Sequence, residues 1–234
     1  MHPAESSPSL SPDPAPAVSD AEILSRAEAF VRERCAGDSG GHDFHHLRRV
    51  RAAALRLAPA LGADPVVTAL AALLHDVADP KLNPDPETGQ RALSGFLAES
   101  GLSPERRARI GEIVERVSFG KELDGDPRPK SPELMAVQDA DRLDALGAIG
   151  IARAFAYGGA KGQSMHDPDS PPRRDLDHAS YRTGKSTSVN HFHEKLFTLK
   201  GRLNTDAARA WADERHRFME AFLERFLAEW EGVD

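Results

Sequence analysis

The chain has 234 residues, 40% of them hydrophobic, 29% charged and only 6% aromatic, the composition of a soluble domain whose core is built from Ala and Leu rather than from rings. Its formal net charge of −7 and single cysteine, Cys35, exclude a disulfide scaffold and argue against wholesale electrostatic binding to nucleic acid or to an anionic membrane. No stretch approaches the roughly 18 uninterrupted apolar residues of a membrane span, and the N-terminus has neither the basic start nor the apolar run of a signal peptide; a cytoplasmic protein without nucleic-acid or membrane partners is expected.

Residues 1–19 hold five Pro and five Ser without an apolar period and are expected to form a disordered tail, leaving 20–234 as one domain. Order is predicted to begin at Ser19-Asp20-Ala21-Glu22, a capping box leading into Ile23, Leu24, Ala27, Phe30 and Val31 at helical spacing. A second helix is predicted from Asp43 to Leu61. A third opens with Asp64 as N-cap and Pro65 at the first helical position, and continues through VVTALAALLHDV. A weaker helix covers 88–100. Ser103-Pro104-Glu105 opens a helix through about Val117, and Ser131-Pro132-Glu133 opens one long helix through about Tyr157 that stops at Gly158-Gly159.

Residues 160–188 are rich in Pro, Asp, Arg, Gly and Ser and read as a long irregular segment, of the kind that is usually functional or disordered. Helices over 190–202 and 205–231 close the chain. The last carries Ala208, Trp211, Phe218, Met219, Phe222, Phe226 and Trp230 on its predicted apolar side. Nothing reads as a strand and no segment repeats, so the expected class is all-α, an irregular single-domain helical bundle.

Against this background the 10 histidines stand out. His46 shares the inward face of the second helix with Val50, Ala53 and Leu57. The third helix is apolar on all sides and ends in the adjacent pair His75-Asp76, which places an imidazole and a carboxylate at the rim of a buried element. Farther on, Asp141 is flanked at helical offsets by Leu134, Val137, Ala145 and Ala148, and Asp139 by Met135, Leu143 and Leu146. A buried carboxylate needs a cation or a metal, but periodicity does not choose between these two, and either one could instead anchor Arg142 or Arg153. Two imidazoles and two carboxylates from three separate helices form a mixed N/O set suited to a borderline-to-hard divalent ion such as Mn²⁺ or Mg²⁺. Such an ion polarises a phosphoryl oxygen and lowers the pKa of water. Asp79, three residues beyond Asp76, is placed to handle the proton if the helix runs that far; otherwise it simply starts the turn at Asp79-Pro80. Between Arg153 and Arg202 nine basic residues face five acidic ones, so an anionic, phosphate-bearing ligand is expected there despite the negative total.

His46 in HLRRV, His75-Asp76 in LLHDVAD and Asp141 in QDADRLDALGAIGIARAF together resemble the HD-domain metal-dependent phosphohydrolase superfamily. GHDFHHLRRV, SVNHFHEKLFTLKGRLNT and ERHRFMEAFLERFLAEW resemble more narrowly its YpgQ/YedJ-like bacterial branch, over about residues 22–231. The resemblance implies the HD-type helical fold, with His46, His75, Asp76 and Asp141 as ligands of a single divalent ion, Mn²⁺ favoured and Mg²⁺ or another divalent admissible, and selects Asp141 over Asp139. It implies a nucleotide substrate, a (d)NTP cleaved to (d)NMP and pyrophosphate, with Asp79 catalytic. It also points to Lys121 in VSFGKE and Asn190, His191 and Lys195 in NHFHEK as substrate contacts. Lys161, Arg182 and Lys185 from the basic segment join them as candidates. His193 departs from the branch, where Tyr is expected, and the chain lacks the GYP signature of cyclic-dinucleotide phosphodiesterases. A 5′-nucleotidase or other phosphodiesterase, or a non-hydrolytic nucleotide- or metal-binding regulator, is the competing reading; a homo-oligomer is compatible with all of them.

Overall fold

A computed structural model describes residues 18–36, 43–79, 82–118, 127–173 and 186–233. The expected tail, apart from Val18 and Ser19, lies outside the described residues, as do Lys121, Arg182 and Lys185. The described residues are helical with no strand, as the all-α expectation requires, and they contain no helix long and apolar enough to cross a membrane.

The helices are α1 (Asp20–Arg34), α2 (Phe44–Leu61), α3 (Pro65–Leu74), α4 (Pro86–Glu99), α5 (Pro104–Arg116), α6 (Pro132–Asp144), α7 (Gly147–Ala160), α8 (the composite segment 188–202) and α9 (Asp206–Trp230). Their starts follow the expected chemistry. Ser19, Asp43, Asp64, Asp85, Ser103, Ser131, Thr187 and Thr205 each accept a hydrogen bond from a first-turn amide, and proline occupies the first turn of α3, α4, α5 and α6. This arrangement satisfies donors that a helix leaves open and pre-sets its first φ.

Three expectations are corrected. First, the long helix predicted through Tyr157 is two helices, α6 and α7, broken at Ala145-Leu146. Gly147 opens α7 with φ +74°, which a side chain rarely adopts, and a Cβ on Gly150 would meet the Ala145 carbonyl oxygen at 2.2 Å. Second, α3 ends at Leu74, so Asp79 is not on the His75-Asp76 helix. The backbone tightens into turns there, Val77 N–H bonding to Leu74 O at 3.0 Å and Asp79 N–H to Asp76 O at 2.9 Å, and Asn83 Nδ2 takes the Val77 and Asp79 carbonyls at 2.9 and 2.8 Å. Third, the final helix buries Ala208, Ala212, Met219 and Leu223, whereas Phe218 is 53% exposed because it lies about 100° round the helix from Met219, outside the buried arc.

Two apolar clusters fill the interior. One, built by α1 to α6, centres on α3, whose residues from Val67 to Leu74 are all buried. The other joins the C-terminal parts of α2 and α6 to α7, α8 and α9 and is rich in phenylalanine. α2 packs most extensively against α6 and α3, so the three elements that carry the expected ligands lie side by side.

Candidate metal centre

α2 and α6 carry His46 and Asp141, and His75-Asp76 follow directly on the end of α3. The Asp43 carboxylate caps α2 by accepting the His46 amide at 2.7 Å, which fixes the register that turns His46 inward between α3 and α6. His75 sits at the C-cap of α3, just past the run buried from Val67 to Leu74, where a polar side chain can leave the core. α6 delivers Asp141 from the other side.

The donor atoms of His46, His75 and Asp141 lie within 4.8 Å of one another. His46 Nε2 is 3.5 Å from an oxygen of Asp76 and 3.5 Å from Asp141 Oδ1, and His75 Nε2 is 3.3 Å from Asp76 Oδ1 and 3.8 Å from Asp141 Oδ1. The imidazoles meet edge to face, with centroids 5.3 Å apart. These side chains are nearly inaccessible except that of Asp141, which is 32% exposed, so the cluster is closed behind the rings and open on the Asp141 side.

One atom shows what the cluster is fit for. His75 Nδ1 lies 2.8 Å from the Ala72 carbonyl oxygen, which can only accept, so Nδ1 carries the proton and Nε2 keeps its lone pair. That Nε2 is buried and has no hydrogen-bond donor. An unsatisfied buried acceptor is costly, and a cation between it and the two carboxylates removes the cost. The N/O donor set suits a borderline-to-hard divalent ion.

His46 is the most perturbed base of the site. Burial disfavours its cation, but hydrogen bonds to Asp144 and Asp76 and the Asp76 charge outweigh this and raise its pKa to about 9 in the protein alone.

The two aspartates that periodicity could not separate have different partners. Asp141 faces the imidazoles. Asp139 is fully buried and accepts from Asn204 N at 2.7 Å, Asn204 Nδ2 at 2.9 Å, Thr205 N at 2.9 Å and Thr205 Oγ1 at 2.8 Å, so it anchors the start of α9. Residues two apart on a helix point about 200° apart, which is how one helix serves both the site and the opposite wall.

Sequence reasoning missed Asp144. It is buried, it accepts from Arg49 Nε at 2.7 Å and Arg153 Nη1 at 2.8 Å, and it lies 2.7 Å from His46 Nδ1. Although burial opposes its charge, the hydrogen bonds to His46 and Arg49 and the neighbouring cations hold its carboxyl well below the usual range. The signal in the sequence was its place one turn after Asp141; two of its partners, His46 and Arg49, are 98 and 95 residues away.

The expected substrate contacts are dispersed. Asn190 is buried, its amide donating to Ser170 O at 2.9 Å. Lys161 is exposed at the end of α7 with its ammonium 5.8 Å from the Tyr157 ring centroid. His191 and Lys195 are half-buried on α8, Asp79 is half-buried in the turn after the site, and His193 is exposed with its ring against Phe197. Glu194 on α8 joins Arg173 to Ser186: it accepts from Arg173 N at 3.0 Å, Arg173 Nη2 at 2.8 Å and Ser186 Oγ at 3.0 Å.

Residues 43–146 match the HD domain family, a span that contains all four ligand candidates. The protein YpgQ of Bacillus subtilis is 36% identical over 208 residues, covering 88% of this chain and 92% of YpgQ. A solved protein from Lactobacillus plantarum is similar with a TM-score of 0.82 and 40% identity, over 90% of this chain and 97% of that one. An HD-superfamily hydrolase from Bacillus thuringiensis gives 0.70 and 42%, over 91% and 99%, and the crystal structure of YpgQ in complex with ADP gives 0.71 and 32%, over 90% and 100%.

Proposed function

Because the chain belongs to the HD-domain superfamily of hydrolases, we propose that it is a metal-dependent nucleotide phosphohydrolase that cleaves a (d)NTP to (d)NMP and pyrophosphate, with His46, His75, Asp76 and Asp141 holding the ion. The observation that carries this reading is the buried, donor-less Nε2 of His75 facing two carboxylates beside a second imidazole. That YpgQ has been crystallised with ADP supports a nucleotide as the ligand class. The one-sided exposure of Asp141 fits a substrate that arrives from that side.

The ion, when bound, supplies Lewis-acid polarisation of a phosphoryl oxygen and a lowered pKa for water; Mn²⁺ is the favoured species and Mg²⁺ the alternative. The protein's own groups do the rest. His46 and His75, nearly inaccessible, supply the nitrogen donors at the closed back of the site. Asp79, in the turn whose backbone Asn83 fixes, accepts a proton from the attacking water, and Lys121, Lys161, Arg182, Lys185, Asn190, His191 and Lys195 are the proposed contacts to the phosphates and nucleoside. The experiment is chromatography of products from each (d)NTP with Mn²⁺ or Mg²⁺. Monophosphate and pyrophosphate are expected; a diphosphate with phosphate moves the cut to another bond, and no turnover with any divalent ion defeats the reading.

A further inference from the structure

Resting on that metal-site reading, we infer that Asp144 is a positioning residue of the centre: it keeps the proton of His46 on Nδ1 and fixes the ring so that the Nε2 lone pair is presented to the ion.

The geometry sets up a competition for His46 Nδ1. Asp144 Oδ2 lies 2.7 Å away and can only accept. Arg153 Nη1 lies 3.2 Å away and can only donate. If Asp144 wins, Nδ1 carries the proton and the neutral ring keeps its lone pair on Nε2, the nitrogen a metal would take. If Arg153 wins, Nδ1 accepts and the neutral ring must carry its proton on Nε2, the nitrogen that faces Asp76 and Asp141. Asp144 has the shorter contact, and it also occupies Arg153, whose Nη1 donates to the same carboxylate oxygen at 2.8 Å. Arg49 completes the clamp with Nε to Oδ1 at 2.7 Å and Nη2 to Oδ2 at 3.0 Å.

The spacing turns this into a unit. On α2, His46 and Arg49 are three residues apart; on α6, Asp141 and Asp144 are three apart. Each helix therefore presents one group to the ion and one to the clamp behind it, and Arg153 brings in α7 across the break at Ala145-Leu146. A carboxylate behind a metal-ligating histidine sets its tautomer and orientation, and its removal costs typically 10–100-fold in metal affinity or activity.

The test is Mn²⁺ binding by the full chain, followed by electron paramagnetic resonance of the free ion, in the wild type and in Asp144→Asn. The side-chain amide keeps the shape but can turn its NH₂ towards Nδ1 and no longer holds Arg153. Affinity is expected to fall about 10–100-fold when measured at a temperature where the melting curve shows the variant folded, and excess Mn²⁺ should recover turnover, which a merely structural role does not predict. Wild-type affinity in a folded Asp144→Asn protein overturns the inference. If that variant does not fold, ¹⁵N imidazole spectra of the Zn²⁺-loaded wild type decide. A proton on His46 Nδ1 with the metal on Nε2 supports the inference, and the reverse arrangement overturns it. No Mn²⁺ uptake by the wild type defeats both this inference and the metal site, whereas Mn²⁺ binding without nucleotide turnover defeats only the proposed reaction.

Discussion

The two halves of the interior are packed by different means. The cluster around α3 is made of short aliphatic side chains, with Ala69, Leu70, Ala71, Ala72, Leu73 and Leu74 all buried. The cluster under α7 to α9 is a stack of rings, in which Phe155 contacts Phe192, Phe222 and Phe226 with centroids 6.2, 6.0 and 5.5 Å apart, and Phe226 stacks on Trp230. The first half brings helices close enough for two imidazoles and two carboxylates to share one point. The second covers the far side of α6 with irregular backbone, including a π turn at Phe192–Leu196 and a 3₁₀ turn at Lys200–Arg202. The contrast teaches that the small-residue half holds the donor set, and the aromatic half carries Lys161, Asn190, His191 and Lys195, four of the proposed contacts to substrate.

The strongest way to break this division is at the donor set. Asp76→Ala should abolish both Mn²⁺ uptake and turnover while leaving the aromatic half folded, as read by near-ultraviolet circular dichroism; turnover that survives removes Asp76 from the site. Next, Leu73→Ala in the close-packed half should cost about 2–5 kcal/mol in urea unfolding, and the half-buried Phe226→Leu in the aromatic half about 1 kcal/mol. Equal losses would erase the packing contrast.

A third comparison sharpens the roles of neighbours on one helix. Asp139→Asn weakens four hydrogen bonds to Asn204 and Thr205 and should lower stability by about 2–3 kcal/mol with Mn²⁺ affinity unchanged. Asp141→Asn should do the reverse. The pair shows what the sequence could disclose. Capped starts such as Asp64-Pro65 and Ser131-Pro132 are local chemistry and were legible, as was the H…HD…D order. The division of labour between Asp139 and Asp141 was not legible from periodicity, because both have apolar neighbours and only the packing of α2 and α9 on opposite sides of α6 separates them. Asp144 was hidden for the same reason. The break before α7 was obscured by GAIGIARAF, which keeps a helical apolar pattern while Gly147 turns the backbone.

A smaller effect is expected in acid. Burial alone would raise Glu194, but the hydrogen bonds from Arg173 and Ser186 lower its pKa below the ordinary glutamate value, and Asp64 is lowered by the α3 amides and Arg106 in the same way. Because their folded pKa values are depressed, this stability is present above the unfolded values of about 4 and lost as pH falls through the folded ones. Glu194→Gln should flatten the acid limb of a melting-temperature profile, and an unaltered limb contradicts its role in tying Arg173 to Ser186. The smallest effect belongs to Phe218→Ser, expected to change stability by no more than about 0.5 kcal/mol because the ring is exposed; a larger loss in chemical unfolding would place that ring in a contact.

The most direct measurement of the central claim is anomalous diffraction at the manganese edge from crystals grown with Mn²⁺. One peak is predicted, within bonding distance of His46 Nε2, His75 Nε2, Asp76 and Asp141, with Asp144 on the far side of the His46 ring. A peak that leaves His75 Nε2 uncoordinated, or no peak at all, contradicts it.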